Sequence, residues 1–150
     1  MTIRPALPEE DAALSALAIR SKAAHGYGEE FMRQCTAELT VTRDLIAASD
    51  TFVAKGPDGR ILGFCRLVCT PPLANLTHLF VGPDAWRTGV GQRLWQTAVS
   101  RANRQGASMI ELDADPNAEG FYAAMGARRV GEVPSGSIPG RMLPHMVYPS

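Results

Sequence analysis

The sequence predicts a mixed-sheet α/β domain with one core, spanning residues 1–150. Three observations carry that expectation. Apolar runs of strand length are interleaved with helical stretches along the chain. One pair of runs is joined by the tight turn Gly56-Pro57-Asp58-Gly59, whereas another pair is separated by a long helical stretch, so antiparallel hairpins and a parallel crossover share one sheet. The composition, 45% apolar and 20% charged over 150 residues, is that of a globular chain long enough to bury a core.

Taken in order, residues 3–5 read as a short first strand. Residues 7–24 read as a helix: Leu14, Leu17, Ala18 and Ile19 form an apolar stripe, and Glu9, Glu10 and Asp11 put negative charge in the first turn, where the helix dipole favours it. His25-Gly26-Tyr27-Gly28 breaks it, and helical pattern resumes over residues 29–48, in one piece or two. Residues 51–55 and 60–70 flank the hairpin turn, and Pro71-Pro72 separates the second of them from a fourth strand over 73–81. Residues 89–105 carry Val90, Leu94, Trp95, Ala98, Val99 and Ala102 at helical spacing, with Gly106 as the stop. A strand over 109–114, a short helix over 117–125 and a strand pair over 128–133 and 142–148 complete the order.

Composition removes several functions. Lys and Arg (15) balance Asp and Glu (15), so no basic surface is expected and nucleic acid is not an expected partner. No apolar run approaches the roughly 20 residues a helix needs to cross a bilayer, so no membrane partner is expected. Cys35, Cys65 and Cys69 lack Cys-x-x-Cys spacing, and no Cys/His cluster points to a metal. Unpaired thiols without a cleavable leader lead to the expectation of a cytoplasmic protein.

The run from Leu79 to Trp95 is the most informative segment: an apolar strand end, a turn at Gly82-Pro83, then Gly89-Val90-Gly91 opening a helix. A helix that starts on glycines presents bare backbone N–H groups to an anion. A nucleotide-triphosphate loop would need Gly-Lys-Ser/Thr, and here Gln92 and Arg93 follow Gly91. A dinucleotide loop would need a third glycine, where Leu94 stands, and much more chain after it. A third reading, the pyrophosphate of coenzyme A, is the one a family resemblance implies.

That reading meets a specific resemblance. Gly89 and Gly91 match the two small positions of the [Q/R]-x-x-G-x-[G/A] motif of the GNAT N-acetyltransferase superfamily, with Trp86 where the family has Gln or Arg. Asn117 through Ala127 resembles its second signature, N-x-x-[A/P]-x-x-F-Y-x-x-x-G-F. The resemblance covers essentially the full chain. It implies a mostly antiparallel sheet of about seven strands flanked by about four helices, splayed between the fourth and fifth strands. It also implies acetyl-CoA as co-substrate, no metal, and a homodimer.

Carried over residue by residue, the resemblance implies that Phe80 and Val81 border the CoA arm and that a backbone N–H at Val81 or its neighbour polarises the thioester carbonyl. The amides of Arg87, Thr88, Gly89, Val90, Gly91 and Gln92 would hold the pyrophosphate. Asn117 and Phe121 would line the arm, and Tyr122 would protonate the departing thiolate. The family's base positions fall on Asn75 and Thr77, which are not bases. The adjacent His78 is the catalytic candidate, although strand alternation would place it on one face with Leu76 and Phe80. Glu29, Glu30, Glu111 and solvent water stay open as alternatives.

Two segments would shape the acceptor pocket. In residues 21–31, Tyr27, Glu30 and Phe31 offer aromatic surface and a carboxylate for a cationic amine; in residues 134–144, Arg141 offers a cation for an acidic group. The expected activity is acetyl transfer from acetyl-CoA to a primary amine of a small molecule by direct attack in a ternary complex. A non-catalytic acyl-CoA sensor and a protein or peptide N-acetyltransferase are the alternatives.

Overall fold

In the computed structural model, which describes residues 1–149, the chain forms seven strands and five α-helices. In chain order these are β1 (Thr2–Pro5), α1 (Asp11–Ala23), α2 (Glu29–Leu39), α3 (Arg43–Ala48), β2 (Asp50–Lys55), β3 (Ile61–Thr70) and β4 (Leu73–Val81). Then follow α4 (Val90–Arg104), β5 (Met109–Asp113), α5 (Glu119–Ala124), β6 (Arg128–Pro134) and β7 (Met142–Pro149). They make one sheet in the order β1-β2-β3-β4-β5-β7-β6, antiparallel throughout except where β4 meets β5.

Local chemistry sets the element ends. The expected helix over 7–24 begins instead as a 3-10 turn, Pro8–Glu10, because the Glu10 carboxylate accepts the Leu7 N–H at 2.8 Å while pairing with Arg4. The helical pattern over 29–48 divides in two where the Thr42 hydroxyl accepts the Leu45 N–H at 3.2 Å and starts α3. The expected helix over 117–125 likewise opens as a 3-10 turn, Pro116–Ala118, capped by Asp115.

Each sheet face carries a helical layer. Leu14, Leu17, Ala18, Cys35, Leu39 and Ile46 of α1, α2 and α3 pack with Val53 and Phe64 on one face. Val90, Leu94, Trp95, Ala98 and Ala102 of α4 and Tyr122 of α5 pack with Ala54, Cys65, Leu67 and Ile110 on the other. Neighbouring strand residues therefore face opposite layers, as the pleat requires.

Two irregularities in β4 position the site. Arg66 pairs with His78 but Leu67 pairs with Leu76, so Thr77 is an extra residue, a β-bulge. The bulge switches the alternation: Ala74, Leu76, Leu79 and Val81 face the α4 layer, whereas Phe80 packs with the α1–α2 layer and His78 lies beside Phe64 and Phe80. The expectation that His78 shares a face with both Leu76 and Phe80 is thus corrected. The second irregularity is at β5, which pairs with β4 only at Leu73–Met109, Ala74–Ile110 and Asn75–Glu111. Beyond that the strands part, and β4 runs on to Val81 without β5 beside it.

Candidate active site

The parting of β4 from β5 opens a cleft of 680 Å³, in the size range of small-molecule sites. β4 supplies one wall, from Leu76 to Val81. Leu112 to Asp115, Asn117, Phe121 and Tyr122 supply the opposite wall. Arg87, Gly89, Gly91 and Gln92 lie at one end, and Lys22, His25, Leu39 and Arg141 close the other sides.

The backbone of β4 turns polar groups into this gap. Gly82 N–H donates to Leu62 O at 2.8 Å, so the ladder alternation points the N–H and C=O groups of Val81 and Leu79 away from β3, towards the cleft. The Val81 carbonyl accepts the Trp86 indole N–H at 2.8 Å. Trp86 also stacks on His25, centroids 4.8 Å apart, and so borders the cleft from the motif position where the resemblance implied Gln or Arg.

At the start of α4 the glycines have separate causes. Gly89 has φ +88°, a left-handed conformation that side chains resist, and Arg87 two residues earlier has φ +63°. A Cβ on Gly91 would come within 3.2 Å of the Phe121 ring. The first intrahelical bond is Arg93 N–H to Gly89 O, which leaves the N–H groups of Val90, Gly91 and Gln92 ahead of the helical ladder. The Val90 side chain is buried in the core, so only its backbone can serve the site. Thr88 donates its hydroxyl back to Ala85 O rather than leaving it for a ligand.

Tyr122 is buried under the cleft, 7% exposed, edge-on to Trp95 and Phe121. Among the described residues its hydroxyl has no hydrogen-bond partner, and it lines the cleft. Burial, with the Cys65 thiol and Asp115 nearby, raises its pKa well above that of an ordinary phenol, so it stays protonated. His78 also lines the cleft, but its Nδ1 meets the Thr77 hydroxyl at 2.8 Å and its Nε2 meets Glu38 O at 3.1 Å. Since a carbonyl only accepts, Nε2 carries the proton, and neither nitrogen is free. Burial lowers the His78 pKa, which keeps the ring neutral.

Asp115 is the hub of the acceptor side. Its carboxylate accepts the Asn117 N–H at 2.8 Å and the Tyr27 hydroxyl at 3.0 Å, and pairs with Lys22 and Arg141 at 3.3 Å each. Burial alone would raise this carboxyl; the Asn117 N–H, Lys22 and Tyr27 outweigh it and hold it down to about 2. The Tyr27 hydroxyl in turn accepts from Asn117 Nδ2 and Arg141 Nη2, both at 2.8 Å. Tyr27 stacks on Phe31 with centroids 4.1 Å apart. Neither ring is part of the cleft wall; they hold Lys22 and Arg141, which are. Glu30, expected at the acceptor pocket, is exposed, paired with Arg33 and Gln34, and does not line the cleft.

The sequence reading missed Lys22 and Asp115. Signals for both exist. Lys22 falls four residues after Ala18 on the apolar stripe of α1, and Asp115-Pro116-Asn117 is a helix-start pattern with Asp as cap.

The sequence profile of the acetyltransferase (GNAT) domain matches residues 7–135. This chain belongs to the GNAT acetyltransferase family. It is therefore an N-acetyltransferase, and the glycine cradle and splayed cleft fit acetyl-CoA: bare N–H groups at α4, a Gly91 that cannot carry a side chain without displacing Phe121, and room between β4 and β5. Among solved structures, the fold matches PaiA N-acetyltransferase of Thermoplasma acidophilum in complex with coenzyme A, with TM-score 0.82 and 20% identity over 99% of this chain and 98% of that one. It also matches a GCN5-related N-acetyltransferase from Rhodopseudomonas palustris, with TM-score 0.80 and 26% identity over 99% and 95%. An aminoglycoside 6'-N-acetyltransferase complexed with coenzyme A matches with TM-score 0.74 and 17% identity over 99% and 97%. A comparison with curated protein sequences found no match. No helix of this GNAT protein, among the described residues, is long and apolar enough to cross a membrane.

Proposed function

We propose that the chain acts as one domain that moves the acetyl group of acetyl-CoA to the primary amine of a small molecule, by direct attack in a ternary complex. The observation that carries the reading is the Tyr122 hydroxyl, a protonated phenol without a protein partner on the wall of the splayed cleft. In the reaction the amine nitrogen bonds to the thioester carbon and the C–S bond breaks. The departing thiolate takes the Tyr122 proton, and the proton given up by the amine passes to solvent and restores the phenol. The Val81 and Leu79 N–H groups face the gap where the carbonyl oxygen gains negative charge. Direct attack, without an acyl-enzyme, is supported by the cysteines: none of the three lines the cleft, and burial pushes the Cys65 thiol up to about 12.

A small acceptor is supported by the segment between β6 and β7. It packs Ile138 into the α1–α2 core, sets Ser137 Oγ 3.7 Å from Cys35 Sγ, and ties Arg141 to Tyr27. The acceptor side is thus walled rather than an open groove for a peptide. The test is thiol release from acetyl-CoA across a panel of small primary amines and N-terminal peptides. Turnover is expected with small amines; turnover on peptides alone contradicts the small acceptor, and CoA binding with no turnover would favour a sensor.

A further inference from the structure

On the acceptor side of the cleft two largely buried cations share one half-buried carboxylate. Lys22 and Arg141 both line the cleft and share the single Asp115 carboxylate, 3.3 Å from each. The other acids of the wall, Asp113 and Glu38, are solvent-exposed. Asp113 pairs with His145 at 2.7 Å, and Glu38 is exposed with its carboxylate beside Gly136.

Both cations are held in place. The Lys22 side chain is 9% exposed and that of Arg141 16%. Lys22 Nζ sits 5.7 Å from the Tyr27 ring centroid, and the Arg141 guanidinium 4.8 Å from that of Phe31. Arg141 uses only Nη2 on protein acceptors, the Tyr27 hydroxyl and Asp115; among the described residues, Nε and Nη1 have none. No buried side-chain nitrogen or oxygen among the described residues lacks a partner, so the spare Arg141 donors are open to the cleft, where an incoming anion can take them. A carboxylate at Glu30 would have suited a cationic acceptor, but Glu30 pairs with Arg33 and does not line the cleft.

The geometry points to an acceptor that carries a carboxylate as well as its amine: an amino acid or a similar amino-carboxylate, whose acid is bound by Lys22 and Arg141 while its amine faces the thioester. This inference rests on the acyl-transfer reading, and its test separates the two. Thiol release from acetyl-CoA is measured with matched pairs, L-alanine with L-alaninamide and 4-aminobutyrate with its amide. In at least one pair the acid should have a kcat/KM about tenfold higher or more. In Arg141→Ala and Lys22→Met the ratio should fall to about one through the acid's KM, and Arg141→Lys should recover part of it. In parallel, the acids and amides are titrated calorimetrically onto the CoA-saturated protein. The preferred acid should bind, and its affinity should drop about tenfold or more in Arg141→Ala. Amides that match the acids, or an Arg141→Ala variant that lowers kcat on both members of a pair and leaves the acid's KM alone, would overturn the inference even with transfer intact. Acid binding lost in Arg141→Ala, with no amine acetylated, would uphold this site and sink the acyl-transfer reading. Preference for an amidated peptide with Asp beside its N-terminal amine would overturn the small amino-carboxylate.

Discussion

At the residue scale, Asp115 carries opposite pressures: burial favours its neutral form, and an N–H, a hydroxyl and two cations favour the charged one. The second set wins, and the depressed pKa is itself stability. A carboxyl lowered to about 2 stabilises the fold above its unfolded value near 3.9 and loses that contribution as pH falls through about 2. Asp115→Asn should therefore cost about 2 kcal/mol at pH 7, with the gap to the native protein narrowing between pH 4 and 2. Urea denaturation across that range checks it. The sequence made Tyr122 and Phe121 legible because a spaced signature carried them. It concealed the hub as a network, because Lys22 and Tyr27, Asp115, and Arg141 come from three separate segments that only folding joins.

At the element scale, two features decide where chemistry can occur. The start of α4 must leave N–H groups bare and stay clear of Phe121, and glycine at 91 does the second. Gly91→Ala sets two effects against each other: helix propensity gains about 1 kcal/mol, and the overpacked Phe121 contact costs about 1–3 kcal/mol. Stability should change little, whereas the displaced ring and added methyl should weaken CoA binding about tenfold, read by calorimetric titration. The other feature is the Thr77 bulge. Simple alternation read through β4 misassigned the His78 face, since one inserted residue reverses every side chain beyond it. Nothing in Asn75-Leu76-Thr77-His78 announces a bulge; it is set by pairing against β3. The strand and helix order was legible because hairpin glycines and the α4 apolar stripe are local signals.

At the scale of the molecule, the site exists because one sheet is two partly separated halves. β1 to β4 contribute the amides of Leu79 and Val81, and β5, β7 and β6, with α5 behind them, contribute Tyr122 and Asp115. On the proposed mechanism, neither half alone would bring a proton donor and a polarising amide to one gap, and the crossover through α4 would add the anion cradle between them. In that proposed mechanism, the phenol of Tyr122 gives its proton to the departing thiolate. The direct measurement is steady-state thiol release by Tyr122→Phe, with CoA affinity determined on the same preparation. A fall in kcat of about 10²-fold or more is expected with CoA affinity preserved, and no loss of native activity below pH 10 that traces to Tyr122. A Tyr122→Phe enzyme with native kcat would contradict the proposed mechanism.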